Sequence, residues 1–310
     1  MMPPPDTLFT EPPAWHWLVV FYFFFGGLSA GSFFLGAMLD LYGAAFDRPM
    51  ARLAYYTAFV MILPAAPLLI LDLNRPERFW HMLIQSERPP LPMFKWWSPM
   101  SVGSWALLIF GAIALLMALA SLAEEGRLSW SPLRVLRHGV LKILVVFVGA
   151  LVAFFIASYT GVLLAVTNRP IWADTYLIGP LFLISAASTA AALLLLLAWA
   201  RKRVAPPSVA WLKQMDSWAL LIELVVLAAV AISLGALFEI WMSSWGLLLL
   251  IGVVLLGILI PLLLHWRPNL LGNWSLPAAA VLVLVGGFIL RAVIVLSSES
   301  VEEVTTWLLR

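Results

Sequence analysis

The stretch WLVVFYFFFGGLSAGSFFLGAML, residues 17–39, contains no charged residue. It is long enough to cross the roughly 30 Å hydrocarbon core of a bilayer as a helix. Gly27 and Gly31 lie one helical turn apart, a spacing typical of a face that packs closely against another membrane helix. Ser185 and Thr189 repeat that spacing later in the sequence. The stretch therefore predicts a transmembrane helix with a close helical neighbour.

The composition extends this prediction to the whole protein. Of 310 residues, 63% are hydrophobic and only 11% are charged, and the mean hydropathy is +1.01, far above that of a soluble domain. Apolar runs of about 18 residues or more indicate membrane helices. We predict an all-α integral membrane protein with eight transmembrane helices. They lie near residues 17–39, 53–73, 100–122, 139–167, 176–199, 217–239, 246–264 and 277–297.

The first and fifth spans share their small-residue faces and a predicted orientation, about half the sequence apart. This pattern favours two four-helix bundles related by a parallel repeat. We expect one membrane domain, residues 1–310, with a first bundle at 17–167 and a second at 168–310. The outer N-terminal segment, 1–16, has no Lys or Arg, so it lacks the basic region of a cleavable signal peptide and the first span should be retained.

Several cofactors and partners are disfavoured. The protein has no cysteine, so it can hold neither an iron–sulfur cluster nor a disulfide. Its loops are too short for a nucleotide-binding domain, and nothing supports nucleic-acid binding. Bis-histidine haem ligation needs two facing histidines, and no histidine lies at mid-membrane. His138 and His265 share the predicted inner interface, which leaves one haem as an alternative to a protein without metal cofactors.

Basic residues orient the bundle, because cytoplasmic loops are enriched in them. With the N-terminus outside, six Lys and Arg fall in outer segments and eleven in inner ones. We therefore predict that both termini lie outside.

Ionisable residues within membrane spans are costly and usually functional. The candidates at or near membrane depth are Asp72, Glu223, Glu239, Arg291, His16 and Tyr159, and five of these six belong to the outer leaflet. Structural alternatives exist: Asp72 could pair with Arg75 or Arg78, and Arg291 with Glu239 or Asp72. Asn74 and Glu77 have capping-box spacing, which predicts a short interfacial helix after the second span.

Six segments together resemble one family. They are "FFFGGLSAGSFFLGAML" (23–39), "LDLNRPERFWHML" (71–83), "SPMSVGSWALLIFG" (98–111), "YTGVLLAVTNRPIWADT" (159–175), "PLFLISAASTAAAL" (180–193) and "GGFILRAVIVL" (286–296). In this order they resemble the NrfD/PsrC family. The resemblance implies a quinone-interacting membrane subunit of a respiratory oxidoreductase in a prokaryotic cytoplasmic membrane, with no substrate chemistry of its own. Its implied partners are an iron–sulfur, ferredoxin-like subunit with a molybdopterin catalytic subunit, or multihaem cytochrome c subunits.

The resemblance also implies a menaquinone or ubiquinone site among the first four spans, on the outer side. His16 and Tyr159 would bond the quinone carbonyls, and Asp72 would exchange the proton. Further lining residues would be Trp15, Trp17, Phe21 and Trp105, with Arg75 at the outer surface where the partner docks. This protein has Asn74 where the family's Asp-Leu-x-Arg-Pro motif usually carries Gly.

A proton route through the second bundle is predicted from depth. Its candidate residues are Glu223, Ser185, Ser188, Arg291 and Glu239. Two other functions compete with the quinone subunit. An eight-helix transporter would show broken helices that converge on charges at the midplane, and a passive anchor would have no quinone site.

Overall fold

The computed structural model describes residues 15–73, 75–85, 91–129, 132–202 and 204–299. Within these residues eight helices are long and apolar enough to cross a membrane, as predicted. We number them spans 1 to 8: Trp17–Tyr42, Ala45–Leu71, Pro99–Glu124, Gly139–Ala165, Ile178–Arg201, Pro206–Ser233, Ser244–Trp266 and Gly272–Leu296. Following the predicted orientation, we call the end that carries Trp17 and Asp72 the outer end.

Span 2 is broken near its outer end. Its main helix, Arg48–Ile62, stops before Pro64, and a second helix, Ala65–Leu71, follows. Proline cannot donate a backbone hydrogen bond and its ring clashes with the preceding turn, which explains the break. Asp72 ends the second helix, and a 3₁₀ helix, Pro76–Met82, follows where the interfacial helix is predicted. Asn74, its predicted cap, lies outside the described residues.

The helices pack in two connected groups. Span 1 packs against spans 2 and 4, and span 3 packs against the same two helices, so spans 1–4 form a closed ring. Span 5 packs against spans 6 and 8, and span 7 packs against span 8. Spans 1 and 4 contact span 5, which joins the groups through one continuous apolar core. The bundle boundaries 17–167 and 168–310 stay a prediction.

The small-residue faces meet where the two groups join. A Cβ atom on Gly31 would collide with the carbonyl group of Ala186, and one on Gly287 would collide with the Thr189 side chain. These close approaches bring the backbones of spans 1, 5 and 8 together. Packing of this kind replaces the hydrophobic effect as the source of helix association within a membrane.

The inner ends of spans 1–4 are joined by a buried ionic network. Arg137 contacts Asp40 at 2.5 Å and Glu124 at 2.9 Å, and Lys142 contacts Asp40 at 3.0 Å. The hydroxyl of Tyr55 donates to the same Asp40 carboxylate at 3.1 Å. Since Arg137 and Asp40 are almost completely buried, each needs the other to compensate its charge. The network fixes the connection between spans 3 and 4.

Candidate functional site

A cavity of about 540 Å³ lies at the outer end among spans 1–4. Its walls are mainly apolar, and its polar residues are few. Among the described residues, four polar side chains line it: Tyr22, Asp72, Ser104 and Tyr159. Apolar lining residues include Trp15, Val19, Phe59, Leu69, Met100, Leu107 and Leu163. A concave apolar site with a few polar groups is the usual form of a small-molecule site.

Asp72 lines this cavity because the break at Pro64 ends span 2 beside it. The side chain is half-buried. Burial raises the pKa of the Asp72 carboxyl above its ordinary value, whereas the neighbouring His16 lowers that pKa. Asp72 can therefore hold a proton at a higher pH than an exposed aspartate.

Tyr159 reaches the cavity across span 3. Its hydroxyl donates to the carbonyl oxygen of Pro99 at 2.6 Å. The ring passes over Gly103 at a distance that leaves no room for a Cβ atom there. The absence of a side chain at Gly103 therefore makes room for the Tyr159 ring in the cavity. The hydroxyl hydrogen of Tyr159 is already used in the bond to Pro99 at the start of span 3.

Tyr22 also lines the cavity and is absent from the residues that the sequence suggested. It is 1% exposed, and its hydroxyl has no hydrogen-bond partner among the described residues. An unpaired buried hydroxyl costs free energy, so it is a candidate to bond a molecule in the cavity. The only signal in the sequence is one polar ring within the aromatic run FYFFF, residues 21–25.

The other suggested quinone-site residues are dispersed. Trp15 lines the cavity, while His16 is exposed at the start of span 1 and influences Asp72 electrostatically. Trp17 and Phe21 pack against Phe288 of span 8, on a different face of span 1.

Two more of the suggested residues lie near the outer surface and are not among those that line the cavity. Trp105 donates from Nε1 to the carbonyl oxygen of Met93 at 2.7 Å, which fixes the loop before span 3. Arg75 is exposed beside the 3₁₀ helix Pro76–Met82.

A second polar group is buried where spans 1, 5, 6 and 8 meet. Arg291 donates to the hydroxyl of Ser185 at 3.2 Å and to the carbonyl oxygens of Gly287 at 2.7 Å and Phe23 at 3.3 Å. Glu223, which is 3% exposed, interacts with Ser185 and electrostatically with Arg291. These contacts bring together three of the residues suggested for the proton route.

Further polar contacts lie toward the inner end, at Asp216 and His265. The hydroxyl of Ser188 donates to Asp216 at 2.8 Å, and the other carboxylate oxygen of Asp216 lies 3.6 Å from His265 Nε2. The hydroxyl of Ser217 lies 3.2 Å from His265 Nδ1. We use the term "buried polar chain" for Arg291, Ser185, Glu223, Ser188, Asp216 and His265.

The limits of span 6 differ from the prediction, and this places Glu239 outside the span and Asp216 inside it. The helix begins at Pro206 and ends at Ser233, not at 217 and 239. Asp216 therefore lies inside the span and is fully buried. Glu239 lies beyond its end on the 3₁₀ segment Gly235–Met242, where it is exposed and outside the buried polar chain.

The amino-acid sequence matches a known protein family over almost its whole length. The family model described as "Polysulphide reductase, NrfD" matches residues 7–301. The chain belongs to the NrfD family. This match confirms the resemblance found in the six sequence segments, and it agrees with a multi-pass membrane protein of eight helices.

Three known proteins are similar to this NrfD-family member. The C chain of polysulfide reductase from Wolinella succinogenes is 26% identical over 81% of the present sequence and 82% of its own length. Protein NrfD of Escherichia coli is 25% identical over 93% of the present sequence and 96% of its own. The C subunit of selenate reductase from Mesobacillus selenatarsenatis is 37% identical, but the match covers only 28% of the present sequence and 20% of that protein.

Proposed function

We propose that this NrfD-family protein is the quinone-binding membrane subunit of a respiratory oxidoreductase, with the quinone head group in the outer cavity. The observation that carries the proposal is one apolar cavity that combines Asp72 with the Tyr22 hydroxyl, which has no hydrogen-bond partner in the described part of the chain. Two of the similar proteins are named as components of reductases, which agrees with this assignment. The complex would lie in a prokaryotic cytoplasmic membrane with both termini of this protein outside.

The cavity residues suit a quinone in shape and polarity. A quinone has a flat apolar ring with two carbonyl oxygens, which need hydrogen-bond donors or a proton. Tyr22 would donate its free hydroxyl to one carbonyl, and the apolar walls from spans 2 and 3 would hold the ring and the start of the isoprenoid tail. Tyr159 would support the site by fixing the start of span 3 rather than by donating to quinone, since its hydrogen serves Pro99.

Asp72 would supply or accept the proton at the second carbonyl. Its half-buried position raises its pKa, which favours a carboxyl that holds a proton until one is needed. His16 would set the charge at the cavity mouth and relay protons between Asp72 and the outside. Bound quinone would supply the redox chemistry.

Electrons would be exchanged with an external partner. Without cysteine, the protein has no ligands for an iron–sulfur cluster of its own. An iron–sulfur subunit at the outer end would therefore accept or give the electrons, with a molybdopterin subunit or multihaem cytochromes beyond it. Arg75 is exposed beside the cavity region and is a candidate contact for that partner.

The buried polar chain would carry protons between the inner end and the centre of the protein. It combines two carboxylates, two hydroxyls, a histidine and an arginine across spans 5 to 8. Charged groups buried within membrane helices usually belong to ion or proton pathways. In this proposal His265 and Asp216 form the inner entrance, and Glu223 and Arg291 continue the route toward the outer half of the protein.

The proposal can be tested with a variant whose larger side chain fills the outer cavity. Gly111 lines it, and a Cβ atom there would have no neighbour within 4 Å, so Gly111→Phe can project into the cavity without a backbone clash. Fluorescence titration of the purified protein with a quinone analogue should show binding weakened about tenfold or more. Ile109→Phe adds a ring to an exposed position of span 3 and is the matched control.

The outcomes separate the competing functions. Quinone-analogue binding that is unchanged in both variants would exclude the cavity as its site. No binding by the unmodified protein would favour a passive anchor. A transporter would instead retain uptake of a solute in vesicles when the cavity is filled.

A further inference from the structure

A second pocket, of about 740 Å³, lies at the inner end, opposite the candidate quinone cavity. It is formed where the start of span 2, the end of span 3 and the end of span 5 meet. Leu53, Leu122 and Val204 supply apolar wall, and Tyr56, Arg127 and Arg201 supply polar groups. We call it the inner pocket. Neither the quinone cavity nor the buried polar chain uses these residues.

The inner pocket carries an excess of positive charge. Glu125 is the one acidic residue among its described lining residues. That carboxylate contacts two arginines at once, Arg127 at 3.1 Å and the adjacent Arg52 at 3.7 Å. Arg201 has no hydrogen-bond or ion-pair partner for its side chain among the described residues. Two guanidinium groups therefore share the Glu125 carboxylate, and the third, that of Arg201, is uncompensated among the described residues, so the pocket can take an added anion.

Two further observations indicate what kind of anion fits. The buried hydroxyl of Tyr56 has no hydrogen-bond partner within the described part of the protein. The apolar and basic walls lie next to each other at the ends of membrane spans, where the hydrocarbon region gives way to lipid headgroups. Basic pockets between transmembrane helices at this level are suited to acidic lipid headgroups.

We propose that the inner pocket binds the phosphate headgroup of an anionic phospholipid. Arg127 and Arg201 contact the phosphate, and the acyl chains leave the pocket along the partly exposed Leu122 and Val204. The bound lipid joins the end of span 3 to the end of span 5, and so connects the two helix groups at the inner end. The proposal is independent of quinone binding.

Native mass spectrometry of the detergent-solubilised full-length protein tests this site. The protein is titrated with phosphatidylglycerol and, separately, with phosphatidylcholine of the same acyl composition. We expect tighter binding of phosphatidylglycerol. Arg127→Gln and Arg201→Gln should each weaken it about fivefold, and the double variant about 25-fold. Arg267→Gln removes an exposed arginine from the same end outside the pocket and should leave binding unchanged.

Each other outcome overturns the assignment. Equal binding of the two lipids, or unaltered phosphatidylglycerol binding by the double variant, would exclude an anionic-lipid site. Displacement of the lipid by millimolar inorganic phosphate would assign the pocket to a free anion. If the double variant fails to fold, Arg201→Gln alone decides the question, because that side chain is exposed and has no described partner.

Discussion

Arg291 of span 8 donates to the hydroxyl of Ser185 on span 5 at 3.2 Å, although both side chains are completely buried. The same hydroxyl interacts with Glu223 of span 6. Ser185 is thus close to both a buried cation and a buried acid. The packing of spans 5, 6 and 8 should therefore depend on the charges of Arg291 and Glu223.

We therefore expect Glu223 and Arg291 to be energetically coupled. Glu223 and Arg291 interact electrostatically without a direct ion pair among the described residues, so loss of either charge should cost less than the about 3–5 kcal/mol of a contacting buried pair. Glu223→Gln and Arg291→Met should each lower the free energy of unfolding, whereas the double variant should lose less than the sum, with a coupling of about 1–3 kcal/mol. Denaturant unfolding in detergent measures the three values. Additive losses would mean that the two side chains do not interact.

Alanine substitutions at Gly103 and Gly111, both on span 3, should have opposite effects on the stability of the protein. A Cβ atom at Gly103 meets the Tyr159 ring, so Gly103→Ala should displace Tyr159 from Pro99 and destabilise the protein by about 1–3 kcal/mol. A Cβ atom at Gly111 meets nothing, so Gly111→Ala should be neutral or stabilising by up to about 1 kcal/mol. Thermal unfolding compares them. Equal effects would show that Tyr159 does not pack over Gly103.

Asp72 should give the protein a pH-dependent stability. Because burial raises its pKa, the folded protein holds a proton at pH values where the unfolded protein has released it. Its contribution to stability is therefore present at low pH and is lost as the pH rises above the ordinary aspartate pKa of about 3.9. Asp72→Asn should remove this decline, which unfolding at several pH values would detect. A decline that persists unchanged in the variant would have to come from other groups.

The buried polar chain predicts which acids affect proton movement. Asp216→Asn should slow proton uptake linked to quinone turnover in proteoliposomes of the complex by about a hundredfold, with quinone-analogue binding unchanged. Glu239→Gln should leave the rate unaltered, because that side chain is exposed beyond the end of span 6. The reverse pattern would restore Glu239 to the route and remove Asp216 from it.

The number of membrane helices was predictable from the sequence. Which side of each helix faces the cavity or the other helices was not. Hydropathy determines which segments cross a membrane, and all eight are found. It does not locate ends where charged residues continue a helix, so the predicted span 6, residues 217–239, begins after Asp216, whereas the helix begins at Pro206. A proline-induced break in span 2 was predictable because its cause is local.

The candidate site was only partly predictable for the same reason. Of the residues suggested for one quinone site, Trp15 and Asp72 line the cavity, whereas Trp17 and Phe21 pack against Phe288 of span 8. Depth in the membrane can be inferred from position in the sequence. The direction of a side chain depends on helix rotation, which is set by contacts such as that between Gly31 and Ala186.

Two adjacent residues of span 1 contact the outer cavity and the buried polar chain, respectively. Tyr22 lines the cavity, while the carbonyl oxygen of the next residue, Phe23, accepts a hydrogen bond from Arg291. A small axial rotation of this helix would move both groups together. Because Tyr22 and Phe23 are adjacent residues of one helix, a rotation of span 1 that moves the Tyr22 ring would also change the distance between the Phe23 carbonyl oxygen and Arg291.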